Sequence, residues 1–216
     1  MANSHLRNWL IAFVVCTVIV VLCIAYVDFS AAAFIEKNIR HTASGAMLEH
    51  AFLYVDVLVL LPLIFMLACG LWALSGRHIA AWTEIPLLCC WSMVWCVVVA
   101  LVLKHLFGRT ASEIWVAGRT DFTGSGFSSF HLLHGTIGQQ GFPSGTASIT
   151  ASIVSVVWIL APKLRPVTIL ALLIFSTTVV LVNFHYVSDV IAGIFLGCTI
   201  GSMTVWLQSK EQAKTA

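Results

Sequence analysis

Long apolar runs constrain this chain more than any other feature of its sequence. Hydrophobic residues make up 60% of the 216 residues and charged residues only 9%, against roughly a quarter charged in an average soluble domain. Too few polar residues remain to cover a water-facing surface, which excludes a disordered chain, a coiled coil, a soluble nucleic-acid-binding protein and an ordinary soluble enzyme. A transmembrane β-barrel would show short alternating segments instead. The sequence therefore predicts an all-α membrane protein.

Six apolar runs approach the length of about 20 residues that a helix needs to cross a bilayer core about 30 Å thick. The first is expected to be a retained helix rather than a secretory signal, because no small-residue cleavage site follows it before Asp28. We predict one integral membrane domain over residues 1–216, with six transmembrane helices that run approximately Trp9–Val27, Phe52–Leu74, Ile85–Leu103, Gly145–Ala161, Val167–Phe184 and Asp189–Leu207.

Two segments between the predicted spans are long enough to carry function. Residues 28–51 are rich in alanine, with mixed charge and spaced apolar residues, a pattern typical of a short amphipathic helix on the membrane surface. Residues 108–142 form the longest polar segment, and a loop of that length is usually functional or disordered. We predict an active-site loop at 108–142, because chemically suggestive residues flank it on both sides.

The lysine and arginine residues indicate how the helices are oriented. If the N-terminus is inside, the inner segments hold Arg7, Arg77, Lys163, Arg165, Lys210 and Lys214, and the outer segments hold Lys37, Arg40, Lys104, Arg109 and Arg119. Three of the outer five lie in or beside the suspected site, where chemistry would require them. We therefore expect both termini in the cytoplasm and the site on the outer, periplasmic face of a bacterial inner membrane.

The alternation of six spans brings several polar groups to that outer face. Lys104 and Arg109 follow the third span, and Ser144 opens the fourth. His185 stands at the end of the fifth span, and Asp189 opens the sixth. Polar groups at membrane depth are costly and usually line a cavity or pair with one another. The helix count alone therefore predicts one cluster.

Each member of the cluster suits phosphate chemistry. Lys104 and Arg109 supply positive charge for phosphate oxygens. Ser144 and the backbone N–H groups of Gly145 and Thr146 stand at a helix N-terminus, which favours anions. His185 and Asp189 are four residues apart, so the carboxylate can orient the imidazole and leave its other nitrogen free as a base or nucleophile. Together they indicate phosphoryl transfer through a histidine.

The sequence resembles the type 2 phosphatidic acid phosphatases (the PAP2 family), which are membrane-bound lipid phosphatases. Three motifs carry the resemblance, in the family's order, over about residues 50–207: Lys104 to Arg109, Phe142-Pro143-Ser144-Gly145, and His185-Tyr186-Val187-Ser188-Asp189. The resemblance implies the family's helical bundle. It also implies that His185 attacks phosphorus to form a phosphohistidine, which water hydrolyses, while Asp189 orients His185.

Three positions depart from the family pattern. Thr146 stands where the family has its general-acid histidine, Val179 stands where it usually has an arginine, and Ala111-Ser112 replace an Arg-Pro pair. The proton for the leaving group could then come from another residue, and the nearby histidines are His131, His134 and His105. We name His131 and His134 as candidate catalytic residues. A diphosphate or aryl leaving group would need less protonation.

The expected substrate is a lipid phosphate or diphosphate. The expected partners are the surrounding membrane lipids, and no binding of nucleic acid is expected. No cofactor or metal is expected. The seven cysteines all lie in apolar runs, and Cys89-Cys90 lacks a second pair spaced to complete a metal site.

Three other functions remain open. A lipid phosphotransferase would use the same intermediate, and a catalytically impaired relative would bind lipid phosphate without turnover. An intramembrane serine protease would use Ser144 and His185, but Ser144 lacks the usual Gly-x-Ser context. That function would also leave Lys104, Arg109 and Asp189 without a role.

Overall fold

The computed structural model describes residues 2–40, 42–47, 55–76, 80–112, 129–133 and 140–215. Helices dominate these residues, and the described β structure is a single isolated bridge between Arg109 and Phe130. The principal helices are α1 (Ala2–Leu22), α2 (Asp28–Ile35), α3 (Val55–Leu74), α4 (Glu84–Phe107), α5 (Gly145–Leu160), α6 (Arg165–Leu181) and α7 (Val187–Thr215).

Several of these helices are long and apolar enough to cross a membrane. Four stretches meet that standard by length and composition, namely Leu6–Ile39, Ala81–Phe107, Pro162–Leu181 and Val187–Lys214. The other two predicted spans correspond to shorter apolar helices, Leu60–Leu74 and Gly145–Leu160. The all-helical class is thus confirmed, and the described helices include four that are suited to crossing a membrane. The count of six spans and the side on which the termini lie stay predictions.

The first helix continues well beyond its predicted end at Val27. A π-helical turn at Cys23–Val27 joins α1 to α2, and a second one at Glu36–Arg40 follows α2. Residues 28–40 are therefore helical as expected, but they continue the first helix instead of forming a separate one. Asp28 and Ile35 are buried because this part of the helix packs against the protein. Its relation to a membrane surface stays a prediction.

Small residues let α5 and α7 pack closely. A stripe of glycines at four-residue spacing predicts a helix-packing face, and the structure confirms that prediction. A Cβ added at Gly193 would lie 2.6 Å from the carbonyl oxygen of Ser144. A Cβ at Gly197 or Gly201 would likewise collide with the backbone of α5, at the carbonyls of Ser148 and Ser152.

The described ends of the long loop are fixed beside the end of α4. Gly108 caps α4 with a left-handed backbone (φ 52°), and its N–H donates to the carbonyl of Lys104 at 2.9 Å. The returning chain pairs with this cap, since the N–H of His131 donates to the Gly108 carbonyl at 3.1 Å. A side chain at Gly108 would collide with the backbone of His131.

These contacts give the bundle two distinct ends. At one end α4 finishes and α5 and α7 begin, and the Ser144 N–H donates to the Asp189 carbonyl at 3.0 Å. At the other end, Glu84 accepts hydrogen bonds from Gln208 at 2.6 Å and from Gln212 at 3.0 Å. The predicted polar cluster lies at the first end.

Candidate functional site

The start of α5 forms one wall of the site. Ser144 is fully buried in extended backbone conformation, and its hydroxyl oxygen accepts a hydrogen bond from the N–H of Ala147 at 3.4 Å, as in an N-cap. Gly145 and Thr146 follow in the first turn and border a cavity. The unpaired N–H groups and the dipole of such a helix start attract anions.

Lys104 brings a positive charge to the same helix start. It lies in the last turn of α4, and its Nζ is 3.6 Å from the point where a Cβ on Gly145 would stand. The lysine also borders the cavity. An ammonium group and a helix N-terminus so close together form a site suited to phosphate oxygens.

His185 and Asp189 stand beside this anion site. His185 is 4% exposed and lies in the turn between α6 and α7, and Asp189 lies in the first turn of α7. The distance from His185 Nδ1 to Asp189 Oδ2 is 3.6 Å, which allows electrostatic attraction but is too long for a hydrogen bond. The backbone N–H of Tyr186 donates to Asp189 Oδ2 at 3.0 Å and helps to hold the carboxylate.

Burial sets the protonation of His185. Loss of hydration lowers the pKa of His185, and the positive charge of Lys104 lowers it further. The Asp189 carboxylate and the Gly141 carbonyl oppose this effect without reversing it. The lowered pKa favours the neutral form of His185, which can act as a nucleophile.

Arg109 lies behind the His–Asp pair. It is fully buried, and its guanidinium donates to Asp189 Oδ1, to the Ser188 hydroxyl at 2.6 Å and to Asp28 Oδ2 at 2.7 Å. The guanidinium also lies 4.5 Å from the centroid of the Tyr186 ring. Arg109 thus has no exposed surface for a ligand, although it follows Lys104 closely in the sequence.

Asp28 was missed by the sequence analysis. This residue of α2 is 1% exposed and accepts hydrogen bonds from Arg109, from the Ser188 N–H at 3.0 Å and from the Ser188 hydroxyl. The available signal was an acidic residue directly after a long apolar run, which we interpreted as the end of the first span. Because the helix continues past Val27, Asp28 faces the bundle and not the solvent.

A cavity of about 510 Å³ extends from this cluster into the bundle. Lys104, Gly145, Thr146 and His185 border one part of it. The remaining lining is mostly apolar and comes from four helices, with Pro62 from α3, Met93 from α4, Ile149, Ile153 and Val154 from α5, and Val167, Ala171 and Phe175 from α6. A polar head and an apolar body could therefore occupy one continuous space.

The structure separates the predicted site residues into those at the cavity and those behind it. Lys104, Gly145, Thr146 and His185 border the cavity, whereas Ser144, Arg109 and Asp189 are fully buried behind it.

None of the three candidate general-acid histidines is described at the cavity. His131 is exposed, with Nε2 3.0 Å from the Ser129 hydroxyl, and it is not among the described residues at the cavity. His105 is also exposed. His134 lies outside the described residues, as do residues 113–128 of the predicted active-site loop. Within the described ranges, no three His, Cys, Asp or Glu side chains are grouped as a metal site.

Fold and site together define a helical membrane protein with a buried His–Asp pair beside a lysine and a helix N-terminus. Residues 85–213, which are more than half of the chain, match the PAP2 superfamily. The chain belongs to the PAP2 superfamily, as its motifs predicted. Members of this superfamily are generally phosphatases, so membership supports phosphatase-type activity. No curated protein and no solved structure matches the chain.

Proposed function

We propose that this protein hydrolyses a phosphate monoester or diphosphate of a lipid through a phosphohistidine on His185. The observation that carries the proposal is the convergence of Lys104, the start of α5 and His185 at one part of a deep apolar cavity. The lysine and the helix start would hold phosphate oxygens within reach of the imidazole.

In the first step, Nε2 of His185 attacks phosphorus while the bond from phosphorus to the leaving oxygen breaks. Nδ1 faces Asp189, so a proton on Nδ1 stays there and the carboxylate stabilises the charge that develops on the ring. Lys104 and the N–H groups of the α5 start stabilise the phosphoryl oxygens. In the second step, water attacks phosphorus, the bond to Nε2 breaks, and inorganic phosphate leaves.

The cavity supports a lipid rather than a water-soluble substrate. Met93 and Lys104 both border it and are eleven positions apart on α4, which corresponds to about 16 Å at 1.5 Å per residue. Half of a bilayer core is about 15 Å thick. A hydrocarbon chain of a membrane lipid could thus lie along α4 while its phosphate reaches His185.

Thr146 favours a leaving group that needs little protonation. Threonine cannot act as an acid near neutral pH, and it lies at the cavity where the family's acid would be. A lipid diphosphate expels a phosphate ester, which is a better leaving group than an alkoxide. The diphosphate is therefore the preferred test substrate, and the monoester is its comparison.

The test is phosphate release by the purified protein in detergent, from a panel of lipid monophosphates and diphosphates. His185→Gln should reduce release on the order of a thousandfold or more, because no nucleophile remains. Lys104→Gln should reduce it about a hundredfold, whereas Lys163→Gln, at an exposed site on the other end of the bundle, should match the wild type. Brief reaction with labelled substrate should leave alkali-stable label on the wild type and none on His185→Gln.

Other outcomes point elsewhere. Transfer of label to an added lipid alcohol in place of water would identify a phosphotransferase. Peptide cleavage that requires Ser144 would indicate the protease. A folded wild type that binds lipid phosphate but releases none from any substrate would contradict the proposal and identify an impaired relative.

A further inference from the structure

Asp28 reaches the candidate site from a part of the chain outside the family match. The match covers residues 85–213, and Asp28 lies far before it, on α2. Its carboxylate is nevertheless buried at the end of the bundle where His185 stands. A buried carboxylate requires partners, and all its described partners belong to the residues that surround the His–Asp pair.

Asp28 shares one guanidinium with Asp189. Arg109 donates through one terminal nitrogen to Asp189 and through the other to Asp28, and both carboxylates have no exposed side-chain surface. Each acid therefore limits how far Arg109 can turn toward the other. Without Asp28, Arg109 could turn fully onto Asp189 and reduce the negative charge that His185 experiences.

Asp28 also fixes the first turn of α7. The N–H of Ser188 is one of the donors that a helix N-terminus leaves without an intrahelical partner, and it donates to Asp28 Oδ1 at 3.0 Å. The Ser188 hydroxyl donates to Asp28 Oδ2. Ser188 directly precedes Asp189, so Asp28 acts as a cap that α2 supplies to α7.

A second contact holds the connection between α6 and α7 against the first helix. Asn183 Nδ2 donates to the Ala32 carbonyl at 3.5 Å and to Glu36 Oε2 at 3.3 Å. Asp28, Ala32 and Glu36 are spaced at four-residue intervals and so form one helix face. The π-helical turn at Cys23–Val27 directly precedes this face, and such turns occur frequently at functional sites.

We infer that Asp28 is a positioning residue, which holds Arg109 and the start of α7 so that Asp189 orients His185 for attack. This inference rests on the proposed function of His185. Asp28 does not border the cavity, so it acts through Arg109 and Ser188 and not on the substrate. The rate of turnover should therefore depend on Asp28, whereas the affinity for substrate should not.

The experiment compares Asp28→Asn and Asp28→Glu with the wild type in phosphate release. Asp28→Asn keeps an acceptor for Ser188 but removes the charge that balances Arg109. We expect kcat to fall about 10- to 100-fold, the range seen when hydrogen-bond partners that orient metal ligands are lost, with KM changed less than about twofold. Asp28→Glu should recover part of kcat. Glu84→Gln, an acid removed at the other end of the bundle, is the control and should match the wild type.

A second measurement needs no turnover. The titration of His185, followed by NMR of histidine-labelled protein and assigned by its loss in His185→Gln, should move to lower pH in Asp28→Asn. Among the described residues, Asp189 and Lys104 act on His185 directly, and Arg109 acts on it through its ion pair with Asp189. Loss of the Asp28 charge leaves Arg109 less neutralised. An unchanged titration together with an unchanged kcat would overturn the inference, as would a lower Tm with full kcat per folded molecule. Lack of turnover by the wild type would instead refute the proposed function.

Discussion

At the scale of single residues, burial of His185 decides when its imidazole can react. The neutral ring is the nucleophile, and burial together with Lys104 lowers the pKa of His185 below the ordinary value of 6.5. A lowered pKa means that the neutral form persists to lower pH. The attack should therefore continue at pH values where an exposed histidine would already be protonated.

The pH dependence of turnover tests this environment. We expect the acidic limb of kcat/KM to lie below pH 6.5, and we expect it to move to higher pH in Lys104→Gln, because the lysine charge disfavours protonation of His185. With one lipid phosphate at constant ionic strength, the ionisation of the substrate affects every variant equally. A difference in the limb between variants therefore reflects the ionisation of the protein. Lys163→Gln should leave the limb in place. A limb that stays put or moves downward in Lys104→Gln would contradict the interpretation.

Sequence spacing predicted which residues lie near the site, but it could not predict which of their side chains reach the cavity. Lys104 and His185 were expected at the site and border the cavity. Arg109 was expected to bind phosphate, yet it is fully buried between two carboxylates. The difference arises because Asp28 neutralises Arg109 from a distant helix, and no pattern around Arg109 reports that contact.

At the scale of elements, helix type and several helix ends were predictable, whereas the end of the first helix was not. Apolar runs predicted the helices, and the glycine spacing predicted the face of α7 that meets α5. The first helix did not end where its apolar run ended, because burial of Asp28, Ala32 and Ile35 against the bundle compensates for the drop in hydropathy. The π-helical turns before and after α2 have no clear sequence signal.

The apolar part of the cavity, a chamber between α3, α4, α5 and α6, offers a test of the lipid class. Ala171 of α6 borders it, so Ala171→Trp should fill space that a hydrocarbon chain needs. Overpacking of this kind costs about 1–3 kcal/mol, which corresponds to a loss of about 5- to 150-fold in kcat/KM for a long-chain lipid phosphate. A short-chain, water-soluble phosphate should be hydrolysed at the wild-type rate.

Leu173→Trp is the matched control for the chamber. Leu173 lies on the same helix but is 58% exposed, and it is absent from the described lining. Its replacement should leave both substrates unaffected. Equal losses for long and short chains in Ala171→Trp would mean that the chamber does not hold the hydrocarbon chain.

At the scale of the whole molecule, the two ends of the bundle differ in chemistry. One end holds Lys104 and His185 around the mouth of an apolar cavity, with the exposed His131 nearby on the loop that pairs with the end of α4. The other end holds the exposed Lys163 between α5 and α6, and Glu84 bonded to α7. The charge count along the chain predicts that this second end faces the cytoplasm.

Cysteine labelling can determine which end faces which side. The seven native cysteines are free, and none of them is exposed. The wild type therefore gives the background level of labelling by a membrane-impermeant maleimide. In sealed right-side-out vesicles, His131→Cys should be labelled directly, because the charge count predicts that its end of the bundle faces outward. Lys163→Cys and Lys214→Cys should be labelled only after permeabilisation, because α5, α6 and α7 carry them to the opposite end of the bundle.

Three results of this experiment have distinct meanings. Labelling of His131→Cys alone would place the phosphate site on the outer face and the C-terminus inside, as the positive charges indicate. The reverse pattern would place the site in the cytoplasm, and substrate would then have to come from the inner leaflet. Labelling of both ends from the same side would contradict a spanning bundle altogether, because helices of this length and apolarity separate their ends by the thickness of a bilayer core.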